Sequence, residues 1–123
     1  MMLVYDNNSG QLWQDGIRIA TGYSGTGVGL NDPRFQFVRN VGPIPVGVYR
    51  IGKTYESVKV GPLAIPLIPL DDFQTGGRSG FVIHGDNPKG DRSASQGCIV
   101  LSRNVRERIV ASAVKGLVVI DAG

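Results

Sequence analysis

The chain contains one cysteine, Cys98, and one histidine, His84, and these are the side chains best suited to covalent chemistry. A thiol becomes a strong nucleophile when a neighbouring base takes its proton, and an imidazole is a common base for this purpose. The two residues lie fourteen positions apart, each where an apolar run meets a glycine-containing loop. We therefore predict that His84 activates Cys98 as a thiolate nucleophile.

Gly97 precedes the cysteine, and because it has no Cβ it lets the backbone approach a substrate carbonyl closely. The N–H groups of Gly97 and Cys98 are natural donors to the oxyanion that forms during acyl transfer. Each member of the pair also has an ordinary interpretation, because a free cysteine is usually a small buried hydrophobe and a histidine can simply satisfy a turn. The joint arrangement of Cys98 and His84 favours the catalytic interpretation.

Short apolar runs separated by turn residues predict a mainly β fold, in agreement with the 18 glycines and 7 prolines. Asp15-Gly16 is a strong hairpin signal and lies within a predicted three-stranded meander. Three prolines interrupt residues 58–70, which favours an edge strand or an extended segment there. The predicted strands are residues 2–5, 11–14, 17–20, 46–51, 80–84, 98–101 and 117–120, and residues 21–42 are predicted to form a long loop.

The strand that ends on His84 and the strand that begins with Cys98 are expected to pair antiparallel, with residues 85–97 as the turn. One helix is predicted over residues 104–114. Asn104 and Glu107 resemble a capping box at its start, and Gly116 is expected to end it. This helix precedes the last predicted strand.

The bulk properties indicate one globular domain spanning residues 1–123, expected to be a monomer. The net charge of +3 is dispersed without a Lys/Arg tract, which argues against nucleic-acid binding. A single cysteine excludes an internal disulfide, and no H-x-x-H or C-x-x-C spacing suggests a metal, so we expect no metal and no cofactor. The chain shows neither a signal peptide nor an apolar run of membrane-spanning length.

The sequence around the cysteine resembles that of a known family. Residues 95–102, Ser-Gln-Gly-Cys-Ile-Val-Leu-Ser, together with Ile-His-Gly at 83–85, resemble the L,D-transpeptidase (YkuD-like) catalytic domain. The small type VI secretion effectors related to that family are more similar still, through Tyr-Ser-Gly at 23–25, Gly-Pro-Ile-Pro-x-Gly-x-Tyr at 42–49 and Gly-Arg-Ser-Gly-Phe at 77–81. The resemblance implies a β-sandwich-like domain, with one C-terminal helix before the last strand, that acts on the peptide stems of peptidoglycan.

By this resemblance, Cys98 attacks the carbonyl between the diamino acid at stem position three and the D-alanine at position four. A thioester forms and D-alanine leaves, and water or another D-amino acid then resolves the acyl-enzyme. His84 would be the base, with its second nitrogen held by a backbone carbonyl such as that of Gly85, or by Asp86. These steps would make the chain an L,D-carboxypeptidase, an enzyme that exchanges terminal D-amino acids, or both.

The resemblance and the residue types also indicate candidate contacts with the substrate. These are Tyr23, Ser24, Arg78, Ser95 and Gln96. The alternative role of the first two is to anchor a loop, and Arg78 is equally well explained as a surface charge.

Two positions depart from the L,D-transpeptidase pattern. Gln96 stands where the family has a histidine, and Val100 stands where it has an arginine that contacts substrate. Arg78, Arg92 or Arg103 could replace that arginine.

An effector of this kind would be made in the bacterial cytoplasm and carried by a secretion machine into the periplasm of a target cell. Its producer would need a cognate immunity protein. Release by a phage, or origin in a longer protein, also agrees with the sequence. The competing hypothesis is a noncatalytic wall-binding or phage structural module on the same fold. A papain-like enzyme or amidase is disfavoured because its cysteine ordinarily precedes its histidine.

Overall fold

The computed structural model describes residues 2–123, apart from the side chain of Asp72. In these residues the chain forms ten strands, one α-helix and three short 3₁₀ turns. The strands are β1 (Met2–Asp6), β2 (Gln11–Gln14), β3 (Ile17–Thr21), β4 (Tyr23–Ser24), β5 (Gly47–Ile51), β6 (Tyr55–Ser57), β7 (Gly61–Pro69), β8 (Val82–His84), β9 (Ile99–Val100) and β10 (Gly116–Ile120), and the helix is α1 (Arg103–Ala111). The 3₁₀ turns are Gly27–Gly29, Pro33–Phe35 and Asp72–Thr75.

The strands join into one continuous mixed sheet in the order β3-β2-β1-β10-β5-β7-β8-β9-β4, with β6 paired to β7 beside this path. Strand β1 runs parallel to β10 and β8 runs parallel to β9, whereas the other pairs are antiparallel. The mainly β class and the single helix before the last strand are confirmed. A single sheet surrounds the core because the long strand β7 pairs with β5 near its end and with β8 near its middle.

The predicted N-terminal meander is present as β1, β2 and β3. Asp15 and Gly16 both have positive φ, 53° and 78°, as a two-residue hairpin turn of type I′ requires. The last strand, β10, pairs with β1 on one side and with β5 on the other, so that Leu117 lies between Leu3 and Tyr49. All three side chains are fully buried.

Of the two alternatives predicted for residues 58–70, the extended segment is confirmed by β7, and the edge strand is wrong because β7 pairs with β5 along one part of its length and with β8 along another. Proline is tolerated here because it lacks only the N–H donor. The carbonyl of Pro66 accepts a hydrogen bond from Gly52 N at 2.9 Å, and the next residue, Leu67, donates its N–H to Phe81 O at 2.9 Å. The prolines of β7 therefore interrupt the ladder without ending it.

One apolar cluster fills the space that the sheet and α1 enclose. Its buried members come from nearly every strand and from the helix: Leu3, Tyr5, Leu12, Ile44, Tyr49, Ile65, Leu67, Phe81, Ile83, Ile99, Leu101, Ile109, Val114, Leu117 and Val119. Strands β8 and β9 contribute Ile83 and Ile99, which lie next to the candidate catalytic residues in the sequence. The site is thus built directly on the core.

The helix differs from its predicted bounds. Ser102 caps it by accepting a hydrogen bond from Val105 N at 3.4 Å, so the predicted capping box of Asn104 and Glu107 is wrong. The helix ends at Ala111, and Gly116 is the first residue of β10 and not the helix terminator. The chain leaves the helix earlier because Ala113 takes a left-handed conformation, with φ 55°. No helix within residues 2–123 is both long and apolar enough to cross a membrane.

Candidate active site

His84 is the last residue of β8 and Cys98 directly precedes β9, but the two strands are parallel, so the predicted antiparallel pairing is wrong. Residues 85–97 are long enough for the crossover that parallel strands need, about a dozen residues. Ile83 pairs with Ile99, and this register places Val82 beside Cys98. Because side chains alternate along a strand, His84 and Cys98 project from the face opposite the buried isoleucines.

His84 and Cys98 line one cavity of about 560 Å³, which we call the cleft. Residues from three parts of the chain line it. The β6–β7 hairpin contributes Tyr55, Ser57, Lys59 and Val60, the connection after β8 contributes Gly85, Asp86, Asn87, Pro88, Ser93, Ala94 and Gln96, and the segments around β8 and β9 contribute Gly80, Val82, His84 and Cys98. Gln96 is thus the one predicted substrate contact that reaches the cleft among the described residues.

The imidazole of His84 is held in one tautomer. Its Nδ1 lies 2.7 Å from Gly85 O, and since a carbonyl can only accept, Nδ1 carries the proton. This leaves Nε2 as the basic nitrogen. Burial of the ring lowers the pKa of His84, and the charge of Arg106 lowers it further, against the opposing effects of Gly85 O and Asp86. The ring is therefore neutral at neutral pH, as a general base must be.

The thiol of Cys98 is half-buried and donates to Gly80 O at 3.8 Å. Burial raises the pKa of Cys98, although the Val82 N–H and the charges of Lys59 and Arg78 oppose that rise. This direction is opposite to the lowered pKa that is typical of reactive cysteines. The cause is desolvation, which disfavours the charged form of a thiol. The pair rests as a neutral thiol and a neutral imidazole.

One of the two predicted oxyanion donors is already occupied. Gly97 N donates to Ser95 Oγ at 3.1 Å, which leaves the Cys98 N–H as the candidate donor. Gly97 has φ 125°, and a Cβ there would lie 2.1 Å from the guanidinium of Arg78. Glycine is thus required at this position by the backbone conformation and by the close approach of Arg78.

Ser24 and Ser95, predicted as substrate contacts, are fully buried and hold the segment that carries the nucleophile. Ser95 Oγ donates to Cys98 O at 2.6 Å and accepts from Gly25 N at 2.9 Å. Ser24 Oγ donates to Gly97 O at 3.2 Å and accepts from Ile44 N at 2.8 Å. A hydroxyl that both donates and accepts can join two backbone segments in this way.

Arg78 is not a surface charge, so that interpretation from the sequence is wrong, and its side chain does not line the cleft. It is buried, and its guanidinium donates to four backbone carbonyls, those of Gln36, Gly42, Pro43 and Gln96. The group also stacks over the Phe81 ring at 5.4 Å. Because both terminal nitrogens of its guanidinium donate to these carbonyls, Arg78 ties residues 36–43 to the segment that carries Cys98.

Tyr23 anchors the connection between β8 and β9. Its hydroxyl donates to Asp86 Oδ1 at 2.7 Å and accepts from Ala94 N at 3.1 Å, so it joins both ends of that connection. Burial and the hydrogen bond to Asp86 raise the pKa of Tyr23 to about 12. Asp86 also accepts from Asn87 N, and the imidazole of His84 is oriented by Gly85 O.

Comparison with known proteins gives the family. Residues 18–120 match the model of a protein family that is described as the Tlde1 domain. The chain belongs to the Tlde1 domain family. Tlde1 domains are type VI secretion effectors connected with peptidoglycan, which agrees with the effector resemblance of the sequence. No curated protein matches the chain significantly.

A solved structure shares the fold of this Tlde1 domain. It is that of Bdellovibrio bacteriovorus Bd1075, with a TM-score of 0.66 and 15% sequence identity. The match covers 98% of this chain and 47% of that protein, so the chain spans about half its length. At this identity the likeness concerns the fold alone.

The sequence analysis did not identify Arg106, a residue of α1 whose charge acts on the imidazole of His84. It is buried, and it donates to Leu101 O at 3.1 Å and to Pro62 O at 2.8 Å. A Cβ on Gly85 would lie 2.7 Å from its guanidinium. The only signal for Arg106 in the sequence was a basic residue beside the buried helix position Ile109, which is too common to single out.

The remaining arginine candidates do not line the cleft. Arg103 is exposed and pairs with Glu107 at 3.5 Å, and Arg92 is exposed in the β8–β9 connection. The residues described by the structure contain no group of three or more His, Cys, Asp or Glu side chains placed to hold a metal ion.

Proposed function

We propose that this Tlde1 domain removes the terminal D-alanine from tetrapeptide stems of peptidoglycan by thioester catalysis. The observation that carries the proposal is that Cys98 and His84 line one cleft, with Nδ1 of His84 bound to Gly85 O and Nε2 left as the base. Family membership supports peptidoglycan as the target.

In the first step, His84 Nε2 takes the proton of the Cys98 thiol as the sulfur attacks the carbonyl of stem residue three. The Cys98 N–H stabilises the oxyanion. The C–N bond then breaks, and the imidazolium gives its proton to the amine of the departing D-alanine. A neutral resting pair suits this mechanism because the proton moves only when the substrate is present.

In the second step, His84 takes a proton from water as the water oxygen attacks the thioester. The C–S bond breaks, the thiolate recovers the proton, and a tripeptide stem is released. When the amine of a D-amino acid attacks instead, the product is an exchanged tetrapeptide. Both outcomes share the same acyl-enzyme, so one experiment measures both.

The test is mass spectrometry of purified tetrapeptide muropeptides after incubation with the protein, with and without an added D-amino acid. We expect loss of D-alanine, or its exchange, with the natural chain and not with Cys98→Ala. His84→Gln should reduce the rate by about 10²-fold or more, as loss of a general base does. Equal products from the natural chain and Cys98→Ala would instead support a noncatalytic wall-binding or phage structural module.

We further propose that the domain acts as an antibacterial effector in the periplasm of a target cell, and that its producer makes an immunity protein. The effector family supports this location. Expression in a bacterium with an added periplasmic leader should lyse or deform cells, because the peptidoglycan lies in that compartment. Toxicity that persists in Cys98→Ala would contradict the enzymatic effector.

A further inference from the structure

The cleft contains a cation to which the proposed mechanism gives no role. Among the described residues that line it, Lys59 is the one lysine or arginine. It follows β6 in the turn of the β6–β7 hairpin, and its side chain is exposed. The charge of Lys59 lowers the pKa of Cys98, so it acts within electrostatic range of the sulfur.

Two arginines considered in the sequence analysis have partners elsewhere, since the guanidinium of Arg78 is used by four backbone carbonyls and Arg103 pairs with Glu107. Lys89 and Arg92 are exposed in the connection after β8 but do not line the cleft. Among the described residues that line it, Lys59 is therefore the cation that an entering anionic group meets. The facing connection contributes Asp86, a carboxylate, so the cleft has opposite charges on its two sides. This polarity fixes the direction in which a peptide with a terminal carboxylate can bind.

We propose that Lys59 binds the terminal carboxylate of the stem peptide and so restricts cleavage to the last peptide bond. The inference rests on the proposed function. Attack by Cys98 on the penultimate carbonyl leaves one residue beyond the scissile bond, and one residue extends a peptide by about 3.5 Å. The carboxylate of that residue stays close to the sulfur, where the charge of Lys59 acts. A longer peptide would carry its carboxylate past the lysine.

The experiment compares two substrates, a tetrapeptide stem ending in D-alanine and the same peptide ending in D-alaninamide. For the natural chain we expect KM to be about tenfold lower for the acid, since a hydrogen bond to a charged group is worth about that factor. In Lys59→Met, KM for the acid should rise to that of the amide, with kcat changed less than threefold. Lys59→Arg should restore most of the preference.

Lys53→Met is the matched control, because Lys53 is exposed near the same hairpin and does not line the cleft. It should keep the preference for the acid. A Lys59→Met variant that still prefers the acid tenfold would overturn the role of Lys59, as would a natural chain that cleaves acid and amide with equal KM. If the natural chain releases neither D-alanine nor D-alaninamide, the proposed function fails and the role of Lys59 fails with it.

Discussion

At the scale of single residues, the cleft combines a thiol whose pKa is raised with an imidazole whose pKa is lowered. Burial produces both shifts, because it disfavours the charged form of each group. The consequence is a pair that is uncharged at rest. This differs from cysteine enzymes whose resting state is a thiolate beside an imidazolium, and the difference is measurable.

The first prediction concerns the reactivity of Cys98 with iodoacetamide as a function of pH. Because the pKa of Cys98 is raised, we expect alkylation to keep accelerating above about pH 8.5, where a free cysteine is half ionised. The rate is measured by mass spectrometry of the intact protein, which has one cysteine. A plateau of high reactivity below pH 7 would contradict this and would indicate a resting ion pair.

The sequence predicted the pair at this scale because Cys98 and His84 are each the single residue of their type. It did not predict the roles of Ser24, Ser95 and Arg78. A hydroxyl or a guanidinium can bind a substrate or a backbone carbonyl equally well, and only burial distinguishes the two. That burial depends on contacts between segments far apart in the chain, such as Arg78 with residues 36–43.

At the scale of elements, the nucleophile is carried by an irregular segment and depends on side chains that hold it. Ser95 contributes three hydrogen bonds, two of them with backbone groups of Gly97 and Cys98. The strand β4 adds Ser24, whose hydroxyl donates to Gly97 O. These contacts fix the sulfur without placing it inside a regular strand.

The second prediction is that Ser95→Ala destabilises the protein by about 1–3 kcal/mol, because two buried backbone N–H groups, those of Gly25 and Gly97, lose their acceptor. The value of kcat should fall more than KM rises. Urea denaturation and steady-state kinetics measure the two effects. Ser79→Ala is the control, since Ser79 is exposed. Unchanged stability and kcat in Ser95→Ala would show that the segment is held by other contacts.

The third prediction concerns Arg106, which connects α1 to the imidazole through Gly85 and Leu101. Burial and the charge of Arg106 both lower the pKa of His84. As the pH is raised, kcat/KM should therefore reach its half-maximal value at a pH below about 6.5, the ordinary pKa of histidine. Arg106→Gln removes that charge and should move this rise to higher pH. Arg106→Lys keeps the charge and should leave it nearly in place. The measurement is kcat/KM against pH, and identical profiles for the two variants would exclude the electrostatic role.

The order of elements was predictable where local signals were strong, as at Asp15-Gly16. The direction of β9 was not, because a connection of this length can serve either as an antiparallel loop or as a parallel crossover. The edge position assigned to residues 58–70 failed for a related reason. The positions of the prolines show which backbone N–H donors are absent from a strand, but they do not show which strands pair with it.

At the scale of the whole molecule, one core supports the sheet, the helix and the cleft. Burial in this fold lowers the pKa of His84, so the protonation of the proposed base and the stability of the protein depend on each other. In the folded protein His84 binds a proton more weakly than in the unfolded chain, so the unfolded state takes up more protons as the pH falls. The contribution of His84 to stability is present above the pKa of an unfolded histidine and is lost below it.

The fourth prediction is that the free energy of unfolding decreases as pH falls from about 6.5 to 5, and that His84→Gln reduces this decrease. The carboxylate of Asp6, whose pKa is lowered by its hydrogen bonds, adds a second loss at more acidic pH. Urea denaturation at a series of pH values measures both. A stability that is flat between pH 6.5 and 5 in the natural chain would contradict the burial of a neutral imidazole.

The position of β10 between β1 and β5 has a consequence for biosynthesis. Strands β1, β2 and β3 connect to the rest of the sheet only through β10, so a nascent chain lacks the continuous sheet until residues 116–120 have emerged from the ribosome. The sheet is therefore completed only after the strands that carry the cleft have been synthesised.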